Sequence, residues 1–113
     1  MTLLRAFRIF HNLDATKICQ EATISRGHLT RLEQGSMPSP EVAEILVRVL
    51  NDVRCLSAPQ LRETELRRER LEEARIFIQH ARRTHPNFKD GRLCEDHLLY
   101  PERYALELAE TQS

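Results

Sequence analysis

Tryptophan is absent from these 113 residues, and two tyrosines and four phenylalanines are all the aromatic side chains present. A core must then be built from Leu, Ile, Val and Ala, which favours an all-helical class, and the exposed aromatics that stack RNA bases are lacking. Glycine is almost as scarce, at three. There is no glycine-rich phosphate loop, no nucleophile elbow and no pair of carboxylates in a catalytic setting, so an enzyme is not expected and no cofactor is implied. Excess charge is also missing: 17 Lys and Arg balance 17 Asp and Glu, which argues against indiscriminate electrostatic binding to nucleic acid. No apolar run approaches the ~20 residues of a membrane span. The three cysteines, Cys19, Cys55 and Cys94, are odd in number and widely spaced. With no secretory leader, a disulfide framework is not expected and a reducing cytoplasm is the expected compartment. Internal repeats and low-complexity tracts are absent as well.

What is present is organised around residues 13–35, LDATKICQEATISRGHLTRLEQG. Leu13, Ile18, Ala22, Ile24, Leu29 and Leu32 are spaced to give two short helices one buried stripe each, broken at Ala22-Thr23-Ile24. Asp14 is placed to cap the first of them and Ser25 the second, while Gly35 supplies the residue that tolerates positive φ where the second stops. On the polar side of that second helix lie Arg26, His28, Thr30 and Arg31. Cationic and hydrogen-bonding side chains on a short exposed helix suit the major groove of DNA, where arginine bonds guanine O6 and N7 together. A plain solvated face is the competing explanation for the same four residues.

The flanking stretches extend the pattern. Thr2 caps a first helix to about His11, with Leu3, Leu4, Phe7 and Phe10 on its buried stripe and no basic arm ahead of it. Ser39 caps and Pro40 opens a fourth helix whose Val42, Ile45, Leu46, Val49 and Leu50 make it the most apolar of the chain. Residues 3–50, with the Ile-Ser-Arg entry to the third helix, its Arg-Leu-Glu-Gln-Gly exit and the proline-containing loop after it, resemble the Cro/C1-type (XRE) helix-turn-helix domain of phage repressors. The resemblance implies a four-helix reading domain over residues 1–57 and a sequence-specific regulator, most simply a repressor, that binds double-stranded DNA as a homodimer on an inverted repeat. Arg26, His28, Thr30 and Arg31 take the base-reading positions. Gln34, Ser36 and Lys17 take the DNA-backbone contacts, which fix register without reading sequence. Arg8 and Glu33 stand where the family carries a partly buried ion pair. Cys19 fits the position where the family carries a small residue, while two positions depart from the pattern: Thr23 replaces a glycine and Ala15 a glutamine that braces the reading helix. A β-branched residue at positive φ is costly, so the turn is expected to be either adjusted locally or strained.

Residues 58–113 form a helical dimerisation or partner-binding region. From Pro59 to Arg83 one long helix is expected, dense in arginine and glutamate at i, i+4 spacing, with Leu71, Ala74, Ile78 and Ala81 on one stripe and Phe77 beside it. It keeps no unbroken heptad register, so a regular coiled coil is not expected. Arg67, Arg68, Arg70, Arg75, Arg82 and Arg83 are capable of meeting phosphates, although Glu69, Glu72 and Glu73 among them favour a solvated face. After the breakers His85-Pro86 and Asp90-Gly91, a short helix is expected around Cys94 to Leu99, and Pro101 opens a last one. Cys94 and His97 have the spacing of a zinc-ligand pair, but His80 with His85 makes a poor second pair, and no metal site is assigned. Between residues 1 and 57, seven Lys and Arg face six Asp and Glu; from Asp90 onward, six acidic residues face two arginines. This near-neutral reading region, Ala15 and the acidic tail leave a second reading open: a protein-interaction module, an antitoxin or adaptor, that keeps the helix pair as scaffold and binds a protein through the C-terminal half.

Overall fold

Each of the first four helices begins at a side-chain cap the sequence provides. In the computed structural model, which describes residues 2–52, 65–84, 88 and 91–99, Thr2 Oγ1 accepts the N–H of Arg5 at 3.2 Å and opens α1, Leu3–Phe10. Asp14 accepts from Thr16 at 2.9 Å and opens α2, Ala15–Ala22. Ser25 and Ser39 do the same for α3, Arg26–Glu33, and α4, Pro40–Asn51, through the N–H groups of His28 and Val42. These side chains satisfy donors that have no partner within the helix. The tight joints use unusual backbone. Asn12 and Thr23 have φ of 51° and 56°.

Two further helices follow, α5 at Glu65–Thr84 and α6 at Glu95–Leu99. Among the described residues there is no strand, and no helix is long and apolar enough to cross a membrane. α1 packs along α5, α2 lies against α3 and α4, and α6 sits on α4 and α1. The buried side chains form one continuous core, in which Leu3, Ala6 and Phe7 of α1 share an interior with Leu29, Leu46 and Leu50 and with Ala74, Phe77, Ile78 and Ala81 of α5. The residues around the expected division at 57/58, the helix start at Pro59 and the final helix after Pro101 lie outside the described residues.

Three apolar side chains expected on buried stripes stand in part at the surface. Phe10 is 38% exposed, Leu71 42% and Ile45 37%. Phe10 and Leu71 both line the opening between the end of α1 and the first half of α5, where the two helices do not close on each other. The spacing gives the face of a helix, while burial depends on how far the neighbour extends along it.

One long-range tie was not visible in the pattern. The Asn51 amide at the end of α4 both donates to Leu93 O and accepts from Leu93 N–H, each at 3.0 Å, pinning the segment that enters α6. α6 is then opened by His97, whose Nδ1 accepts the N–H of Cys94 at 3.0 Å. A side chain at the third helical position reaching back to the capping residue does what glutamate does in a capping box. The imidazole is 2% exposed and meets Phe88 edge to face.

Candidate nucleic-acid interface

α3 is short, and its two ends are fixed by different chemistry. At the start, Ser25 Oγ accepts from His28 N–H at 3.0 Å, and the three-residue joint from α2 is closed by Ile24 N–H to Cys19 O at 3.0 Å. Cys19 is buried, and its thiol donates to Ser25 O at 3.7 Å, so the cysteine fills the small-residue position and also steadies the joint. Thr23 lies in the left-handed region with φ 56° and ψ 46°. Of the two outcomes open in the sequence, a turn adjusted to avoid positive φ or a strained one, the backbone takes the second. At the other end Ser36 N–H reaches Arg31 O and Gly35 N–H reaches Leu32 O, with Gly35 at φ 109°. This pair of bonds is the Schellman arrangement, which needs a residue at positive φ after the last turn.

The inner side of α3 is Leu29 and Leu32, both buried. Arg26, Thr30, Arg31 and Gln34 are exposed, and His28 is half-buried. Thr30 Oγ1 donates to Arg26 O at 2.9 Å, so its proton stays within the helix and its oxygen is left to accept from a partner. A Cβ on Gly27 would stand 3.6 Å from the Arg31 guanidinium, which therefore lies back over the glycine one turn earlier. Ser36 is exposed, but its backbone N–H is used by the cap, so a phosphate bond from this residue falls to its hydroxyl. Lys17 is exposed on α2, outside α3.

Glu33 ties α3 to α1 in two ways. Its carboxylate pairs with Arg8, with the side chains 10% and 25% exposed, and its carbonyl accepts from Thr2 Oγ1 at 2.8 Å. The orientation of α3 on the core is thus held by a side chain and a main-chain bond from the same residue. His11 lies just past α1, with its ring 4.4 Å from that of Phe7, and burial lowers its pKa from the usual histidine value.

The other candidate chemistry resolves differently. Cys94 Sγ and His97 Nε2 lie 3.8 Å apart. Because Nδ1 accepts a main-chain N–H, the neutral ring carries its proton on Nε2, toward the sulfur. That is a donor and acceptor arrangement; a metal on Nε2 would require Nδ1 to be protonated against the same N–H. Among the described residues no group of three or more His, Cys, Asp or Glu is placed to hold a metal ion, and His85 lies outside them. On α5, Arg75 pairs with Glu72, while Arg67 donates to Asn12 Oδ1 at 3.1 Å. Arg75 thus sits in a solvated pair while Arg67 reaches the joint after α1, a distinction the interleaved charges of the sequence do not carry. No protein-family model, curated protein or solved structure matches the chain.

Proposed function

We propose that the chain is a sequence-specific DNA-binding regulator, most simply a repressor, in which α3 enters the major groove as the reading helix of a Cro/C1-like helix-turn-helix. The observation that carries this reading is the form of α3 itself. A short helix, anchored inward by Leu29 and Leu32 and fixed at both ends, presents Arg26, Thr30, Arg31 and Gln34 to solvent beside a half-buried His28. Arg26 and Arg31 are suited to guanine and His28 and Thr30 to base edges nearby, while Gln34, the Ser36 hydroxyl and Lys17 suit phosphates. With a net charge of zero, one such helix offers few counterion contacts, so affinity requires a second subunit. A homodimer on an inverted repeat supplies it, with half-sites one helical turn apart.

Arg31→Ala tests the reading helix. Arg31 is exposed and its guanidinium lies over Gly27, so the substitution leaves the core intact. Fluorescence anisotropy with the preferred duplex should show binding weakened by about 5- to 150-fold, equal to a loss of about 1–3 kcal/mol, and discrimination relaxed at one base position of each half-site. Equal affinity and equal specificity in the variant would remove α3 as the reader.

A further inference from the structure

The opening between α1 and the first half of α5 gathers Arg5, Arg8, Arg67, Arg68 and Arg70 around a cleft of about 600 Å³. Among the described residues no carboxylate lines it; Glu69 and Glu73, which alternate with these arginines along α5, do not face it. Two of the five are oriented by the protein. Arg8 spends its Nε on Glu33, and Arg67 is braced by Asn12 at 3.1 Å. Arg5, Arg68 and Arg70 form no ion pair with a described carboxylate. The guanidinium groups of Arg5, Arg68 and Arg70, which no described carboxylate pairs, repel one another around the cleft, and an anion relieves that repulsion. The planar forks of arginine bind phosphate oxygens in pairs.

The rest of the cleft argues for more than a bare anion. Phe10 and Leu71 stand at its lip, each more than a third exposed, and Leu13 is buried beneath it. Inorganic phosphate, or the backbone of a duplex, would leave those apolar surfaces in water. The volume falls in the range of small-ligand sites, which combine apolar walls with a few fixed polar groups. We propose that this cleft binds a phosphorylated small molecule with at least two negative charges and an apolar body, its phosphates on Arg5, Arg68 and Arg70 and its body against Phe10 and Leu71. The site is independent of whether α3 reads DNA.

Titration calorimetry of the full chain at about 150 mM salt with ATP, geranyl diphosphate and inorganic pyrophosphate tests it. ATP and geranyl diphosphate share the proposed chemistry and distinguish an aromatic body from an aliphatic one. At least one of them should bind about tenfold or more tightly than pyrophosphate. Arg68→Gln combined with Arg70→Gln should weaken that binding by about tenfold or more while the unliganded melting temperature holds or rises, since exposed, mutually repelling charges are removed. Phe10→Ser should abolish the preference over pyrophosphate. Pyrophosphate binding as tightly as both organic ligands, or unchanged affinity in the double glutamine variant, would overturn the proposal. A random-sequence duplex that displaces the ligand from the parent protein and fails to bind the double variant would overturn it too, by assigning the cleft to the DNA backbone.

Discussion

Thr23 shows how a single residue pays locally for a joint between helices. A β-branched side chain at φ 56° is held there because Ala22 before it is buried and Ile24 N–H after it is bonded to Cys19 O, so neither neighbour is able to relax the turn. Such conformations cost of order 1–3 kcal/mol for a non-glycine residue. Thr23→Gly should therefore raise unfolding stability by about 1 kcal/mol in urea titration, the greater unfolded-state entropy of glycine offsetting part of the relief. His11 is the second residue with a measurable signature. Burial lowers its folded-state pKa, so the unfolded chain binds a proton that the folded chain resists, and this contribution to stability, present above the unfolded value, is lost as pH falls from about 6.5 through the folded pKa. The urea midpoint should fall between pH 7.5 and 5.5, and His11→Gln should flatten that part of the profile. A profile equally steep in the variant would place the titrating group elsewhere.

The helices themselves were largely legible at their ends. Thr2, Asp14, Ser25 and Ser39 each accept the bond their position predicts, Pro40 opens α4, and Gly35 takes the positive φ that closes α3. Caps are local chemistry, written within four residues, and periodicity likewise gives the buried Leu29 and Leu32 of α3 and the Ala74, Ile78 and Ala81 stripe of α5. What the pattern misplaced depends on contacts distant in sequence. Leu71 continues the α5 stripe by spacing and is 42% exposed, because it lines the opening beside α1. The pairing of Asn51 with Leu93 spans 42 residues and has no periodic signature. It is also the contact that holds the α6 segment to α4. Asn51→Ala should lower unfolding stability by about 2 kcal/mol, by leaving a buried N–H and C=O of Leu93 without partners, and amide exchange should accelerate first at Leu93 and across α6. Protection unchanged there would mean that packing by Leu98 alone secures the segment.

At the level of the whole molecule, the residues that present α3 and the residues of the C-terminal half share one interior. Phe77, Ile78 and Ala81 of α5 are buried in the same core as Leu3, Phe7 and Leu29. Four short helices bury little apolar surface on their own, and a domain of about fifty residues is near the lower limit of independent stability, so α5 and α6 contribute what the first four lack. The candidate reading face was legible as residue types on one side of a short helix. Its supports were only partly so: the Arg8 and Glu33 pair follows from the family resemblance, whereas Thr2 bonding the Glu33 carbonyl and Arg31 lying over Gly27 emerge only from the packed helices. On the proposed reading, this face contacts DNA as one half of a two-fold symmetric pair. Selection of bound duplexes from random DNA by the purified chain at moderate salt, with its mass in solution recorded in parallel, checks this. The enriched sequence should be an inverted repeat bound by two subunits. A folded protein that enriches no sequence, even at low salt, would contradict that reading.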